Sequence, residues 1–214
     1  MKELLNIDLV AVDCVEPEMS VRALLHSSKN IKFGSIKLIA HYKPKNLPNH
    51  IEFYEIEKLN HDGMSWFHIH YLPTYINNEY MLSIQSDGFV LNADNWKDEF
   101  LNYDYIGAPW QDNLDWCRIN RVGNGGFVLK SKKFLNLEES LPFTQNHNDV
   151  YVTNTMYDFF IYAGCKYAPI ETAAKFSLEM KIKECEFDLT KTFGYHGKCY
   201  PETKKLQDIL SQYE

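Results

Sequence analysis

Several short stretches carry side chains whose types suit chemistry. YMLSIQSDGFVLN, Tyr80 to Asn92, runs apolar into one carboxylate, Asp87, followed by Gly88. An Asp-Gly pair at a strand end is a common turn former. At the end of a central strand, however, the carboxylate faces the crevice where open α/β sheets bind ligands. Asp13 closes the first apolar stretch in the same way. Carboxylate oxygens are the preferred ligands of Mg²⁺ and Mn²⁺, which bind through one or two carboxylates plus substrate phosphates.

Three further stretches stand out. VGNGGF places Gly123, Gly125 and Gly126 around Asn124. It reads either as a type I′ hairpin turn or as a place where backbone comes close to a ligand, which the missing Cβ permits. It lacks the G-x-G-x-x-G register of a dinucleotide site. NHNDVYV offers Asp149 at a predicted helix start, as an N-cap alongside Asn148 or as a general base. FGYHGK offers His196 and Lys198 between glycines, either an ordinary loop or a lid closing on a metal and a pyrophosphate.

The elements that must position these residues follow from periodicity. NIDLVAVDC is a buried strand, and EPEMSVRALLHSS is a helix with Pro17 in its first turn. SIKLIAHY and IEFYEIE are strands, and SWFHIHYLPTYI is helical with a break at Pro73. The Tyr80–Asn92 stretch is read as one central strand and NWKDEFLN as a short helix capped by Asn92 or Asp94. YDYIGAPW and GGFVLKS are strands, with a loop between them. SKKFLNLEESL and NDVYVTNTMYDFFIYAG are helices, the second ending at Gly164. KYAPIETAAKFSLE is read as extended, and PETKKLQDILSQY as a closing helix begun by Pro201. Strands alternating with helices over the first half predict a mainly parallel sheet covered on both faces.

The 214 residues suit one domain over 1–214, and 45% hydrophobic with 24% charged residues is ordinary for a globular chain. The 14% aromatic content fits a ring-rich core or a groove for flat ligands. A net charge of −7 without a basic cluster argues against a nucleic-acid partner. Five scattered cysteines with no C-x-x-C pair point to free thiols in a reducing compartment, hence the cytoplasm (the host's, for a viral chain). No apolar run suits a membrane span or a signal peptide. The absence of G-x-S-x-G, P-loop and H-E-x-x-H motifs argues against a serine hydrolase, a P-loop kinase and a zinc protease.

The order VDCVEP, LSIQSDGFVLN, FLNYDYIGAPW, VGNGGFVLKS, NDVYV, APIETAAKFSLE, FGYHG resembles a glycosyltransferase-like domain family of bacteria, algae and large viruses, chlorella-virus capsid-glycosylation enzymes among them. The resemblance covers nearly the whole chain. It implies a GT-A-like α/β fold with a mainly parallel, mixed central sheet flanked by helices. It also implies an inverting, Mn²⁺- or Mg²⁺-dependent transferase moving a hexose or deoxyhexose from a UDP-sugar to a glycan or glycoprotein. The usual Asp-x-Asp reads Gln85-Ser86-Asp87 here, so Asp87 is the implied metal ligand. Gln85 is left to bond ribose or metal-bound water, and tight metal binding needs the nucleotide present. Val12 and Asp13 are implied to hold base and ribose, Gly125 and Gly126 to face the donor sugar, and Asp149 to act as base. His196 is implied to ligate the metal or touch the pyrophosphate, with Lys198 nearby, and Trp110 stacks on an acceptor sugar or serves structure. The competing readings are a metal-dependent nucleotide-sugar hydrolase, which clustered acids would favour, and a non-catalytic nucleotide- or glycan-binding module.

Overall fold

The computed structural model describes residues 1–144 and 147–197. Lys198 and the expected closing helix lie outside the described residues.

The first strand, β1 (Lys2–Asp13), shows how the sequence builds the layers. Its side chains alternate between the two faces of the sheet. Ile7, Leu9 and Ala11 enter one core cluster while Val10 and Val12 enter another. Both faces are therefore covered, as parallel strands require. On the first face lies α1 (Pro17–Ser28), contributing Val21, Ala23 and Leu24. On the second lie Phe67 of α2 (His61–His70) and Leu72 of a 3₁₀ turn beginning at the residue before Pro73.

Strands β2 (Ile31–Ala40), β3 (Glu52–Glu55) and β4 (Tyr80–Ile84) extend the sheet in parallel. Of the last two members, β6 (Tyr105–Ile106) and β7 (Phe127–Ser131), β7 runs antiparallel to both its neighbours. The spatial order is β3-β2-β1-β4-β7-β6. The expected mainly parallel, mixed sheet flanked by helices is what forms. Helix α3 (Lys132–Glu138) follows β7 directly, with the Ser131 hydroxyl accepting from Phe134 N–H as its cap.

Four local expectations are corrected. Tyr80–Asn92 is two strands in different sheets: β4 ends at Ile84, residues 85–87 turn, and β5 (Gly88–Val90) joins a small second sheet. There it pairs with β9 (Gly194–His196), which in turn pairs with β8 (Ser177–Leu178). The bond from the Gly88 N–H to the Gln85 carbonyl closes the turn, and a Cβ at position 88 would run into the Gly126 carbonyl. The stretch KYAPIETAAKFSLE, expected to be extended, is instead helical over Ile170–Phe176, because Ala173, Ala174 and Phe176 find a core to cover before β8 begins. NWKDEFLN forms a 3₁₀ turn over Asp98–Asn102 instead of a helix, with Lys97 at its start and no side-chain cap, while the Asn92 side chain caps a separate 3₁₀ turn over Ala93–Asn95. NDVYVTNTMYDFFIYAG is helical in three pieces: α4 (Asn148–Val150), a π-helical turn over Tyr151–Thr155, and α5 (Tyr157–Tyr162). Gly164 does close the last of them, at a φ of 75°.

Candidate active site

The turn after β4 is pinned to the glycine run. Gln85 N–H donates to the Gly126 carbonyl at 3.0 Å, and Gly126 N–H donates to the Asn124 side-chain oxygen at 3.0 Å. Positive φ among the described residues occurs only at Gly164 and Gly197, so Asn124-Gly125 is not a type I′ turn. Its glycines serve close approach. A Cβ on Gly126 would overlap the His196 imidazole, and one on Gly125 would press on the Asp149 Cβ at 3.0 Å.

His196 arrives through β9, whose antiparallel pairing with β5 sets it opposite Gly88. Its Nε2 lies 3.1 Å from Gln85 Oε1 and 3.4 Å from Asp87 Oδ1, and its Nδ1 lies 3.3 Å from Glu179 Oε1. Burial pulls the imidazole pKa down, but the Asp87 and Glu179 carboxylates outweigh it and hold it at about 9.

Asp149 lies within α4, just ahead of the π-helical turn. The N-cap is His147, without a side-chain cap bond, so Asp149 is not the cap. Its Oδ1 accepts from the N–H of Val150 at 2.7 Å and its Oδ2 from that of Gly125 at 3.3 Å. Burial raises its pKa against those two bonds, with the Glu179 charge acting the same way. Such π turns recur at functional sites. This one uses Asn154, whose Oδ1 accepts from Ile119 and Asn120 N–H, to anchor the loop before the glycines.

These groups share one cavity of about 600 Å³. Gln85, Gly126, Asp149, Glu179 and His196 form its polar wall, and Trp110, Trp116 and His147 its aromatic one. Trp110 is buried, whereas Trp116 is about half exposed on the rim, on a 3₁₀ turn over Asp115–Cys117. That volume is ordinary for a small-molecule pocket.

Not every expected residue gathers here. Val12 is packed in the core beneath. Asp13 spends both oxygens on its own turn: Oδ1 accepts from the N–H groups of Val15 and Glu16, and Oδ2 from the Ser20 hydroxyl at 2.6 Å. Ser86 sits in the 85–87 turn without lining the cavity. Glu179 and Trp116 are additions to the expected set. Glu179 directly follows β8, a two-residue strand that exists through its pairing with β9, so no local signal in the sequence marks it.

As a metal centre the fit is partial. Among the described residues no group of three His, Cys, Asp or Glu side chains is placed to hold an ion. Gln85 Oε1 and Asp87 Oδ1 nevertheless converge, at 3.1 and 3.4 Å, on the same imidazole nitrogen of His196. Those spacings suit adjacent positions around a divalent ion, and a mixed oxygen and imidazole set suits Mn²⁺. Such a set is completed by ligand oxygens.

Among relatives, a family model described as a protein of unknown function, DUF5672, matches residues 41–196. The chain belongs to the DUF5672 family. No curated protein matches it in sequence. As a DUF5672 member it is similar in structure to a galactosyltransferase, LgtC, solved with donor and acceptor sugar analogues. The TM-score is 0.59 at 11% identity over 96% of this chain and 95% of that one. It is also similar to a glycosyltransferase involved in glycosylation of the major capsid of PBCV-1, with a TM-score of 0.50 at 13% identity over 96% and 98%. The DUF5672 chain therefore has the GT-A glycosyltransferase fold. Among its described residues no helix is long and apolar enough to cross a membrane.

Proposed function

We propose that the protein is an inverting glycosyltransferase that moves a sugar from a UDP-sugar to a glycan or glycoprotein acceptor with a divalent ion bound. The observation that carries this reading is the placement of Asp149, a carboxylate with a raised pKa, in the same cavity as Gln85 and His196, with Asp87 against His196. A proton acceptor and an anion-neutralising centre are the two things that single displacement at an anomeric carbon requires.

Asp149 takes the proton of the acceptor hydroxyl as that oxygen bonds to the anomeric carbon. The bond from that carbon to the diphosphate breaks, and its electron pair leaves with the phosphate oxygen. Gln85, Asp87 and His196 would hold the ion, and when bound it supplies Lewis-acid neutralisation of the departing diphosphate. Gly125 and Gly126 let the donor sugar approach the backbone. The base and ribose lie by the end of β1, where Asp13 shapes the turn behind Val12. Lys198, just after His196 in the sequence, is a further cation for the phosphates. Trp116 and Trp110 give an aromatic face to the acceptor sugar.

The test is nucleotide-dependent melting followed by turnover. UDP with Mn²⁺ should stabilise the fold by about 2.7 kcal/mol at 100 times its dissociation constant, and GDP, CDP and ADP should not. UDP release from UDP-sugars should require acceptor. Release with water alone would mark a hydrolase, and equal stabilisation by GDP would remove the uridine assignment.

A further inference from the structure

Asp149 is held from two sides. Its Oδ2 accepts from Gly125 N–H in the glycine run, and its own backbone belongs to the helix that widens into the π turn. One tyrosine hydroxyl fastens each of those two segments from behind. Tyr105, in β6 and fully buried, donates to the Gly123 carbonyl at 2.6 Å. Tyr167, half-buried, donates to the Val152 carbonyl inside the π turn at 2.7 Å. The two rings are neighbours, with centroids 5.5 Å apart, and both pack on Phe134. The two segments touch without slack. A Cβ on Gly123 would overlap the Trp110 ring and come within 2.8 Å of Thr153 Oγ1, which itself donates to the Asp149 carbonyl. Neither tyrosine lines the cavity. Phe would fill the same core space, so what Tyr adds at each position is its bond to that carbonyl.

We propose that Tyr105 and Tyr167 are positioning residues that set the Asp149 carboxylate for proton transfer by fixing the glycine run and the π turn against each other. This rests on the transferase reading above, in which Asp149 is the base. A misplacement of about 1 Å at a reacting group costs on the order of 10²-fold in rate. Gln85 and Asp87 follow β4 and His196 sits in β9, so the nucleotide side of the site hangs on neither phenol. Loss of either hydroxyl therefore falls on the chemical step and spares donor binding.

The experiment compares wild type with Tyr105→Phe, Tyr167→Phe and the double variant, each checked for a folded melting curve. Should one variant fail to fold, the other carries the same test, because each phenol holds one of the two segments. Tyr80→Phe is the control: its hydroxyl donates to the Leu101 carbonyl at 2.6 Å, away from the cavity. The readouts are steady-state transfer from a UDP-sugar to acceptor, calorimetric UDP affinity with Mn²⁺, and an NMR titration of the Asp149 carboxyl carbon. Expected is a fall in kcat of about ten- to a hundredfold in each single variant, with donor KM and UDP affinity held within about twofold. The double variant should lose less than the product of the two, since both act on one carboxylate. The Asp149 titration should move to higher pH, because the Gly125 bond that lowers its pKa loosens while the His147 and Glu179 charges acting on it stay. Unchanged kcat and titration would overturn the proposal. So would UDP affinity falling as far as kcat, or an equal fall in Tyr80→Phe. Absence of transfer by wild type would overturn the transferase reading instead. The titration then decides alone whether the tyrosines set Asp149, and an unmoved titration overturns that too.

Discussion

Among single residues, Asp149 separates chemistry from architecture. It is not an N-cap, and the backbone N–H groups of Val150 and Gly125 hold its oxygens in place. Asn keeps the size and one acceptor oxygen but loses proton affinity. Asp149→Asn should therefore lower transfer by at least about 10²-fold while UDP affinity changes little. Steady-state rates and calorimetry on the one variant check both halves. A fall in UDP binding would instead mark Asp149 as a metal ligand. The pH profile carries the same signature. The base works deprotonated and its pKa is raised above 3.8, so the acid limb of kcat/KM should lie above that value and vanish in the variant.

At the level of elements, the site is a junction between two sheets. β4 delivers Gln85 from the large sheet, β9 delivers His196 from the small one, and the Gly125–Gly126 segment lets them meet. The imidazole lies where a Cβ of residue 126 would be. Gly126→Ala should push His196 away from Gln85 and Asp87. Mn²⁺-dependent UDP affinity should then drop at least about tenfold, at a cost of about 1–3 kcal/mol in stability from overpacking. Titration with UDP with and without Mn²⁺ reads the first, and urea denaturation the second. Equal affinity in the variant would mean that His196 does not hold the ion.

For the molecule as a whole, stability is tied to a buried polar knot away from the cavity. Asp8, within β1, accepts from Lys37 Nζ at 3.2 Å, the Ser35 hydroxyl, the N–H groups of Asn77 and Asn78, and the Asn78 side chain. Lys37 Nζ also donates to the Tyr75 carbonyl, so the knot joins β1, β2 and the approach to β4. It sits where the β1–β2 register shifts, between Leu4 and Asp8. Asp8→Ala would leave the Lys37 ammonium buried without its carboxylate, at about 3–5 kcal/mol. Adding Lys37→Met should recover part of that. Burial opposes ionisation of Asp8, but the bonds from Ser35, Asn77 and Asn78 prevail and hold its pKa below 3.8. A depressed carboxylate stabilises the fold above its unfolded pKa, and the contribution is lost as pH falls through the folded value. Urea midpoints of wild type should therefore fall faster below about pH 4 than those of the Asp8→Ala, Lys37→Met pair.

The layers and most of the candidate chemistry were legible in the order of residues. β1 is buried without a break from Ile7 to Asp13 because its apolar residues occupy both faces, and Pro17 and Gly164 mark helix ends through backbone limits that act locally. Asp87, Asp149, His196 and the glycines were legible because their types and strand-end or turn positions are local too. The rest depended on partners distant along the chain. Whether the chain continues past Ile84 or breaks rests on β9, far later in the sequence, being there to pair with Gly88. Whether residues 170–176 are extended or helical rests on the core that Ala173 and Phe176 cover. Asn124-Gly125 has the residues of a hairpin turn, and only the crowding of His196 and Asp149 gives its glycines another task. Asp13 looks the equal of Asp87 in sequence, yet Val15, Glu16 and Ser20 claim its oxygens, while Asp87 meets His196. Glu179 lies at the end of an otherwise unremarkable stretch. Its place beside the imidazole comes from the parallel pairing of β8 with β9, whose register brings residue 179 next to residue 196.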